Sequence, residues 1–208
     1  VAVNLAARHF REPRLIERIQ GLLAAYNLPP GALELELTES TLIEAGPSMI
    51  ERLTALQQMG LGLAIDDFGT GYSSLSYLKR LPITVLKIDQ SFVRELATDS
   101  DDRTLTRTIV TLGHGLGLEV VAEGVETEEQ RRILLEQGCD LAQGYLFSRP
   151  LPAEQFAAWL IRQDHEKAAN PLYPQRMGSD RLLLSKVNLG GLAVMNISKW
   201  SGPLTDYE

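Results

Sequence analysis

Two adjacent carboxylates, Asp66 and Asp67, follow the apolar run 61–65 and lead directly into Phe68-Gly69-Thr70-Gly71. The run is typical of a buried strand, and the glycines after it predict a turn or a loop. Two like charges placed side by side at a buried strand end raise the pKa of each other's carboxyl group. A divalent cation removes this cost, so the pair predicts a metal site at the end of the strand.

Polar side chains also end the other short apolar runs of the chain. The run-end residues, about 20 to 36 positions apart, are Asn4, Glu36, Asp66, Lys87, Glu123 and Gln143. This distance is the pitch of repeated strand–helix units. In a parallel barrel the carboxyl ends of the strands meet on the face where catalytic residues lie. The converging amides, carboxylates and lysine predict a hard-cation site with oxygen ligands.

Segments with helical spacing of apolar residues lie between these runs. The predicted helices are 14–26, a segment that opens at Pro47 and ends before Gly60, 104–112, 127–137 with a capping box at its start, and a segment that opens at Pro152. Strands that alternate with helices predict an α/β fold with a mostly parallel sheet.

The composition of the chain restricts the class of protein. The chain has 208 residues, 44% of them hydrophobic, which is enough for one sizeable core. Its apolar runs are far shorter than the ~18 to 20 residues of a membrane-spanning helix, so we expect no membrane contact from this chain. The net charge of −7 argues against a DNA or RNA groove. Cys139 is the only cysteine, which fits a reducing, cytoplasmic compartment.

Six short motifs resemble those of the EAL-domain cyclic-di-GMP phosphodiesterases, over about residues 1–162. They are Val3-Asn4-Leu5, Leu35-Glu36-Leu37-Thr38-Glu39, Asp66-Asp67-Phe68-Gly69-Thr70-Gly71, Leu86-Lys87-Ile88-Asp89, Ala122-Glu123-Gly124-Val125-Glu126 and Gln143-Gly144-Tyr145-Leu146-Phe147. Each motif alone is a weak signal, but six in the family's order and spacing argue strongly against a chance match.

The resemblance implies a modified TIM-like (β/α) barrel that binds cyclic di-GMP and hydrolyses it to linear pGpG with two Mg²⁺ or Mn²⁺ ions. The metal ligands that it implies are Asn4, Glu36, Asp66, Asp67 and Glu123, with Asp66 bridging the ions. The catalytic residues that it implies are Lys87, which would orient or activate the attacking water, together with Asp67, Glu123 and Gln143. The residues that it implies as support are Glu39, Glu126, Gly69, Thr70 and Gly71, with Glu39 holding the loop 68–74. Many family members form homodimers, and this chain could do so too.

The chain departs from the family pattern at both ends. The Glu-Ala-Leu strand and its following arginine, expected several tens of residues before Asn4, do not occur in the sequence. In the family this strand supplies one more metal-binding glutamate. About six strands remain where a closed barrel needs eight. We therefore expect a barrel that is incomplete at the N-terminus, in a fragment or with an incomplete site. Residues 163–208 match nothing in the family and are an unassigned C-terminal extension.

Each candidate residue also has a purely structural interpretation. The Asp66–Asp67 pair could begin a loop or cap a helix, and Asn4 could cap a strand end. Lys87 could be a buried ion-pair partner, and Glu126 a helix-start carboxylate.

Three hypotheses for the whole domain remain. The first is a metal-dependent phosphodiesterase acting on cyclic di-GMP, and the second is an inactive module that binds the dinucleotide or docks a partner. The third is a barrel that acts on another phosphodiester. The metal ligands that are present favour the enzyme, whereas the missing first strand favours the inactive module.

Overall fold

The sheet is built mainly from parallel strands in chain order. The computed structural model of the protein describes residues 1–44, 48–71, 75–152, 155, 156, 159 and 194–196. Its strands are β1 (Ala2–Asn4), β2 (Glu34–Thr38), β3 (Gly62–Phe68), β4 (Val85–Ile88), β5 (Glu119–Ala122), β6 (Leu141–Gln143) and β7 (Val194–Asn196). The first six are parallel neighbours, and β7 pairs antiparallel with β6. The sheet forms a half-barrel, which confirms the predicted α/β class and the incomplete barrel.

Helices fill the connections between the strands. They are α1 (Leu15–Ala25), α2 (Glu39–Glu44), α3 (Ser48–Gln58), α4 (Leu75–Leu78), α5 (Gln90–Arg94), α6 (Ser100–Gly115) and α7 (Glu128–Glu136). The four longer helices, α1, α3, α6 and α7, were predicted, although Pro47 lies outside the described residues. None of the helices in the described part of the chain combines the length and apolar character that a membrane crossing requires.

Local end signals explain the bounds of α6 and α7. The Asp99 carboxylate accepts hydrogen bonds from the amides of Asp101 and Asp102, so α6 begins several residues before the predicted start. The capping box of α7 is present between Thr127 and Gln130, and Gly138 after the helix has a φ of +81°. Of the segment that opens at Pro152, residues 155, 156 and 159 are described, and all three are helical.

The outer face of the sheet packs against the helices and forms the main hydrophobic core. Alternate residues of the strands supply this face, because successive side chains of a strand point to opposite sides. Members that are fully or almost fully buried include Leu35, Leu37, Leu63, Ile65, Leu86, Ile88 and Val120 from the strands, and Leu53, Leu56 and Leu134 from the helices.

The inner face of the sheet has two layers. The first, here called the apolar layer, is a separate buried cluster of Ala64, Val85, Val121 and Leu141. Two positions further along the same strands come Asp66, Lys87, Glu123 and Gln143, and β2 adds Glu36 beside them. These five residues are here called the polar layer. Strand alternation thus brings the polar run ends together at the carboxyl edge of the sheet.

Candidate active site

A buried lysine lies at the centre of the polar layer. The Nζ atom of Lys87 lies 2.8 Å from Oε1 of Glu36, 2.8 Å from Oδ1 of Asp66 and 2.5 Å from Oε1 of Glu123. Lys87 and Glu36 each keep only 2% of their surface exposed. Glu36, Asp66 and Lys87 lie on the neighbouring strands β2, β3 and β4. Glu123 directly follows the last residue of β5. The predicted convergence of these four residues is confirmed.

The charges of this cluster do not balance. Burial lowers the pKa of Lys87, but Glu123, Asp66 and Glu36 raise it by more, so the lysine stays protonated. Burial raises the pKa of Glu123 to about 7, because the lowering by Lys87 is smaller and Asp66 adds repulsion. Burial likewise raises the pKa of Glu36 in spite of Lys87. One ammonium therefore faces three carboxyl groups, and the site has room for further positive charge.

An irregularity in β3 brings the second aspartate into the site. The pairing of β3 with β4 shifts between Ile65 and Phe68, so that two residues of β3 face one residue of β4. Asp67, inside this bulge, has a φ of +54°. Regular alternation would direct Asp67 toward the outer face, but a bulge redirects one side chain. The strand thus continues past Asp66, where the sequence predicted its end, and Phe68 returns to the core.

The carboxylates fit the predicted metal site. One oxygen each from Asp66, Asp67 and Glu123 lie within 4.8 Å of one another. The second carboxylate oxygen of Glu36, Oε2, is buried and has no hydrogen-bond partner in the described part of the structure. An unpartnered buried carboxylate oxygen is costly unless a cation or a donor satisfies it. The oxygen-only donor set is the one that Mg²⁺ and Mn²⁺ prefer.

Glu39 supports the loop after β3. Its Oε2 atom accepts hydrogen bonds from the amides of Gly69 (3.3 Å) and Gly71 (3.1 Å), and Glu39 is only 3% exposed. A Cβ atom at Gly71 would lie 3.0 Å from the Glu39 carboxyl carbon, so the loop backbone lies directly on this side chain. The hydroxyl of Thr70 donates to the carbonyl of Asp67. Residues 72–74 of the predicted loop lie outside the described residues.

A cavity opens over the polar layer. Its volume is about 220 Å³, and its lining residues are Asp66, Lys87, Gln90, Glu123, Gly124, Glu126, Gln143, Gly144 and Tyr145. Gln143 is 3% exposed, whereas Glu126 is exposed at the rim. A larger depression of about 340 Å³ lies on α6, but Arg107, Thr108, Thr111 and Leu112 line it. That depression offers no carboxylate, so the chemistry belongs to the cavity over the polar layer.

Asn4 lies at the edge of the polar layer rather than in its buried centre. It is the last residue of β1, it pairs in register with Glu36, and its side chain is exposed. Strand register therefore places Asn4 next to Glu36, on the open edge of the half-barrel.

Some residues near the site were not predicted. Asp89, two positions after Lys87, shares a hydrogen bond with Asp67 and also accepts from the amide and hydroxyl of Ser91. Burial raises the pKa of Asp89, but these hydrogen bonds lower it by more. Burial, Asp66 and Asp89 all raise the pKa of Asp67. Period-two spacing from Lys87 was the signal that could have identified Asp89.

The cavity rim carries an aromatic residue that was also missed. Tyr145 is 47% exposed, and the Arg149 guanidinium lies 4.9 Å from its ring centroid. Because Tyr145 lies two residues after Gln143, the sequence could have predicted it near the site.

Comparison with known sequences identifies the family. Residues 1–150 match the EAL domain family. Over 158 residues, or 76% of the chain, the protein is 50% identical to MucR of Pseudomonas aeruginosa, described as a bifunctional diguanylate cyclase and cyclic di-GMP phosphodiesterase. The match covers 23% of MucR, and the chain spans about a fifth of the length of the first curated relatives that it matches.

Solved structures give the same result. The structure of the Pseudomonas aeruginosa MucR phosphodiesterase with cyclic di-GMP superposes with a TM-score of 0.71 at 51% identity, covering 74% of this chain and 62% of that one. Klebsiella pneumoniae BlrP1, solved with manganese and cyclic di-GMP, gives a TM-score of 0.65 at 35% identity, covering 69% of this chain and 37% of that one. With six parallel strands, a buried acidic cluster around one lysine, and a family match over residues 1–150, this chain belongs to the EAL domain family.

Proposed function

We propose that this chain is a metal-dependent phosphodiesterase that hydrolyses cyclic di-GMP to linear pGpG. The observation that carries the proposal is the polar layer, in which Glu36, Asp66 and Glu123 surround one buried lysine beneath an open cavity. MucR and BlrP1, which the chain resembles at 51% and 35% identity, were both solved with cyclic di-GMP. Residues 1–162 form the catalytic domain in this proposal.

In this proposal the carboxylates of the polar layer hold two divalent cations, Mg²⁺ or Mn²⁺. Asn4, Glu36 and Asp66 would hold one ion, and Asp66, Asp67 and Glu123 would hold the other. Bound cations at such a site neutralise the phosphodiester and lower the pKa of a bound water. The unpartnered Oε2 atom of buried Glu36 and the clustered oxygens of Asp66, Asp67 and Glu123 support this assignment.

Lys87 positions the attacking water in this scheme. Its ammonium stays protonated among three carboxyl groups, so it can donate hydrogen bonds but cannot accept a proton. Lys87 therefore fixes the three carboxylates in place, and one of its three N–H groups would orient the water once a bound cation takes over the carboxylate that it now faces. Gln143, buried beside the cavity, supports the same water through its amide group.

The size of the cavity limits how the substrate binds. A cavity of about 220 Å³ is smaller than the roughly 300 to 1,000 Å³ of pockets that enclose drug-sized ligands. A cyclic dinucleotide cannot enter it whole. One phosphodiester group would reach the polar layer, and the rest of the ring would lie across the rim near Glu126 and Tyr145.

Chromatographic detection of pGpG tests the proposal. The 208-residue chain and a chain extended upstream are incubated with cyclic di-GMP in Mg²⁺, Mn²⁺ or EDTA. We expect metal-dependent turnover, and turnover by the extended chain alone would show that residues upstream of Val1 are needed to complete the site. Dinucleotide binding without turnover by either chain would contradict the enzyme and support the receptor. Turnover of other cyclic dinucleotides at an equal rate would contradict the proposed specificity.

A further inference from the structure

The short helix α5 contacts two segments next to the site's carboxylates, the end of β3 with the loop after it and the segment after β5. Before it, Asp89 caps the helix, and its carboxylate lies beside that of Asp67 in the bulge of β3. Within it, Gln90 packs against Gly124, where an added Cβ would lie 2.6 Å from the Gln90 Cβ. At its end, the carbonyl of Arg94 accepts a hydrogen bond from Nε2 of Gln130, 3.1 Å away. Both segments therefore pack against the same helix.

The ring of Phe92, in α5, lies against the loop after β3 at Gly69. A Cβ atom built on Gly69 would lie 2.8 Å from Cε2 and 3.2 Å from Cζ of Phe92, and 3.4 Å from Cδ1 of Ile109. Gly69 also has a φ of +102°, which only glycine adopts without strain. The backbone at Gly69 thus lies directly against the Phe92 ring, while its amide donates to Glu39.

The position of Gly69 matters because it is two residues from Asp67. Asp67 itself has a left-handed backbone, with a φ of +54°, which is costly for a residue other than glycine. Such a conformation persists only where the surroundings enforce it. The contacts that can enforce it are the hydrogen bonds from the Thr70 hydroxyl and amide to the carbonyl of Asp67, and the packing of Gly69 between the Phe92 ring and the Glu39 carboxylate.

We propose that Phe92 is a positioning residue for the metal site. Its ring supports Gly69, and this contact keeps Asp67 in its left-handed conformation, with its carboxylate beside those of Asp66 and Glu123. The inference deepens the proposed function, on which its relevance to hydrolysis rests. Phe92 touches neither metal nor substrate in this scheme. Its effect passes through the backbone of residues 67–69.

The test compares Phe92→Leu and Phe92→Ala with the unchanged chain, using two measurements that need no substrate. The first is hydrogen exchange at the amides of Gly69, Thr70 and Gly71 without metal. The second is the affinity of the chain for Mn²⁺, measured by titration from the electron paramagnetic resonance signal of the free ion. We expect faster exchange in both variants and an affinity about tenfold lower in Phe92→Ala, in the range found when support of metal ligands is removed. The effect in Phe92→Leu should be smaller.

Phe10→Leu is the matched control, since Phe10 is 5% exposed in the main core and is not among the nearest contacts of Gly69. It should lower the melting temperature without changing Mn²⁺ affinity. A Phe92→Leu variant that behaves like Phe10→Leu would overturn the inference, and this variant suffices if Phe92→Ala fails to fold. Absence of cyclic di-GMP turnover in the unchanged chain would contradict only the proposed function, because neither measurement involves hydrolysis.

Discussion

The apolar layer and the polar layer occupy the same face of the same strands, two residues apart, yet they differ in polarity and in charge. Val85 in the apolar layer is 3% exposed and packs against Ala64, Val121 and Leu141. Lys87, two positions later on the same strand, is equally buried but is surrounded by carboxylates. Burial alone therefore does not separate the structural part of the sheet from the functional part.

The layers differ in the free energy of removing their side chains from water. The apolar layer gains free energy from the surface that it removes from water, about 25 cal/mol per Å². The polar layer loses hydration of its charged groups, and only part of this loss is offset by the ion pairs with Lys87. A cluster with more carboxylates than cations is expected to be the costly part of the fold until metal binds.

The largest effect that separates the layers should be the effect of Asp66→Asn on turnover. The change keeps the shape of the side chain but removes the charge that would bridge two cations. We expect turnover of cyclic di-GMP to fall by about three orders of magnitude, with the fold intact by circular dichroism. Val85→Ala is the matched change in the apolar layer, and it should cost roughly 2 kcal/mol of stability but keep the rate. Retained activity in Asp66→Asn would remove Asp66 from the bridging role.

The next effect concerns stability. Lys87→Met removes the only ammonium of the polar layer and leaves Glu36, Asp66 and Glu123 facing one another. Removing one partner of a buried ion pair lowers the free energy of unfolding by about 3 to 5 kcal/mol. Urea unfolding in EDTA should therefore show a larger loss for Lys87→Met than for Val85→Ala. A variant as stable as the unchanged chain would mean that protonation of the carboxyl groups fully replaces the lysine.

Metal binding should raise the melting temperature of the chain only when the carboxylates of the polar layer are intact. A ligand at 100 times its Kd adds about 2.7 kcal/mol to the free energy of unfolding, which for a domain of this size raises the melting temperature on the order of 5 to 10 °C. Mn²⁺ should give such a rise in the unchanged chain and in Val85→Ala, and little of it in Asp66→Asn. An equal rise in all three chains, measured by differential scanning fluorimetry, would place the bound metal outside the polar layer.

Much of this contrast could be predicted from the sequence because it depends on local rules. Apolar runs ending in Glu36, Asp66, Lys87, Glu123 and Gln143, at strand–helix spacing, sufficed to predict one cluster at the carboxyl edge of a parallel sheet. The buried centre of that cluster is as predicted, and the cavity over it lies where a substrate would bind.

The rest could not be predicted because it depends on pairing between distant segments. The bulge that turns Asp67 inward exists only in the register of β3 with β4. The role of Asp89 depends on that bulge. The helices α2, α4 and α5 are too short for periodicity to show, and β7 pairs with β6 across about 50 residues of sequence. Tertiary context decides such features.

The smallest expected difference between the layers is in pH dependence without metal. Burial raises the pKa of Glu123 from 4.5 to about 7, with Lys87 opposing and Asp66 adding to the rise. The folded chain then binds more protons than the unfolded chain between about pH 4.5 and 7, so stability falls as pH rises through this window. The melting temperature in EDTA should drop on the order of 5 °C between pH 5 and 8.

Glu123→Gln should weaken this drop without removing it, because the raised pKa of Glu36 also lowers stability as pH rises. Val121→Ala, the matched change in the apolar layer, should lower the whole curve and leave its slope unchanged. A melting temperature that rises over this range would show that the attraction of Lys87 for Glu123 outweighs the cost of burying the Glu123 carboxylate.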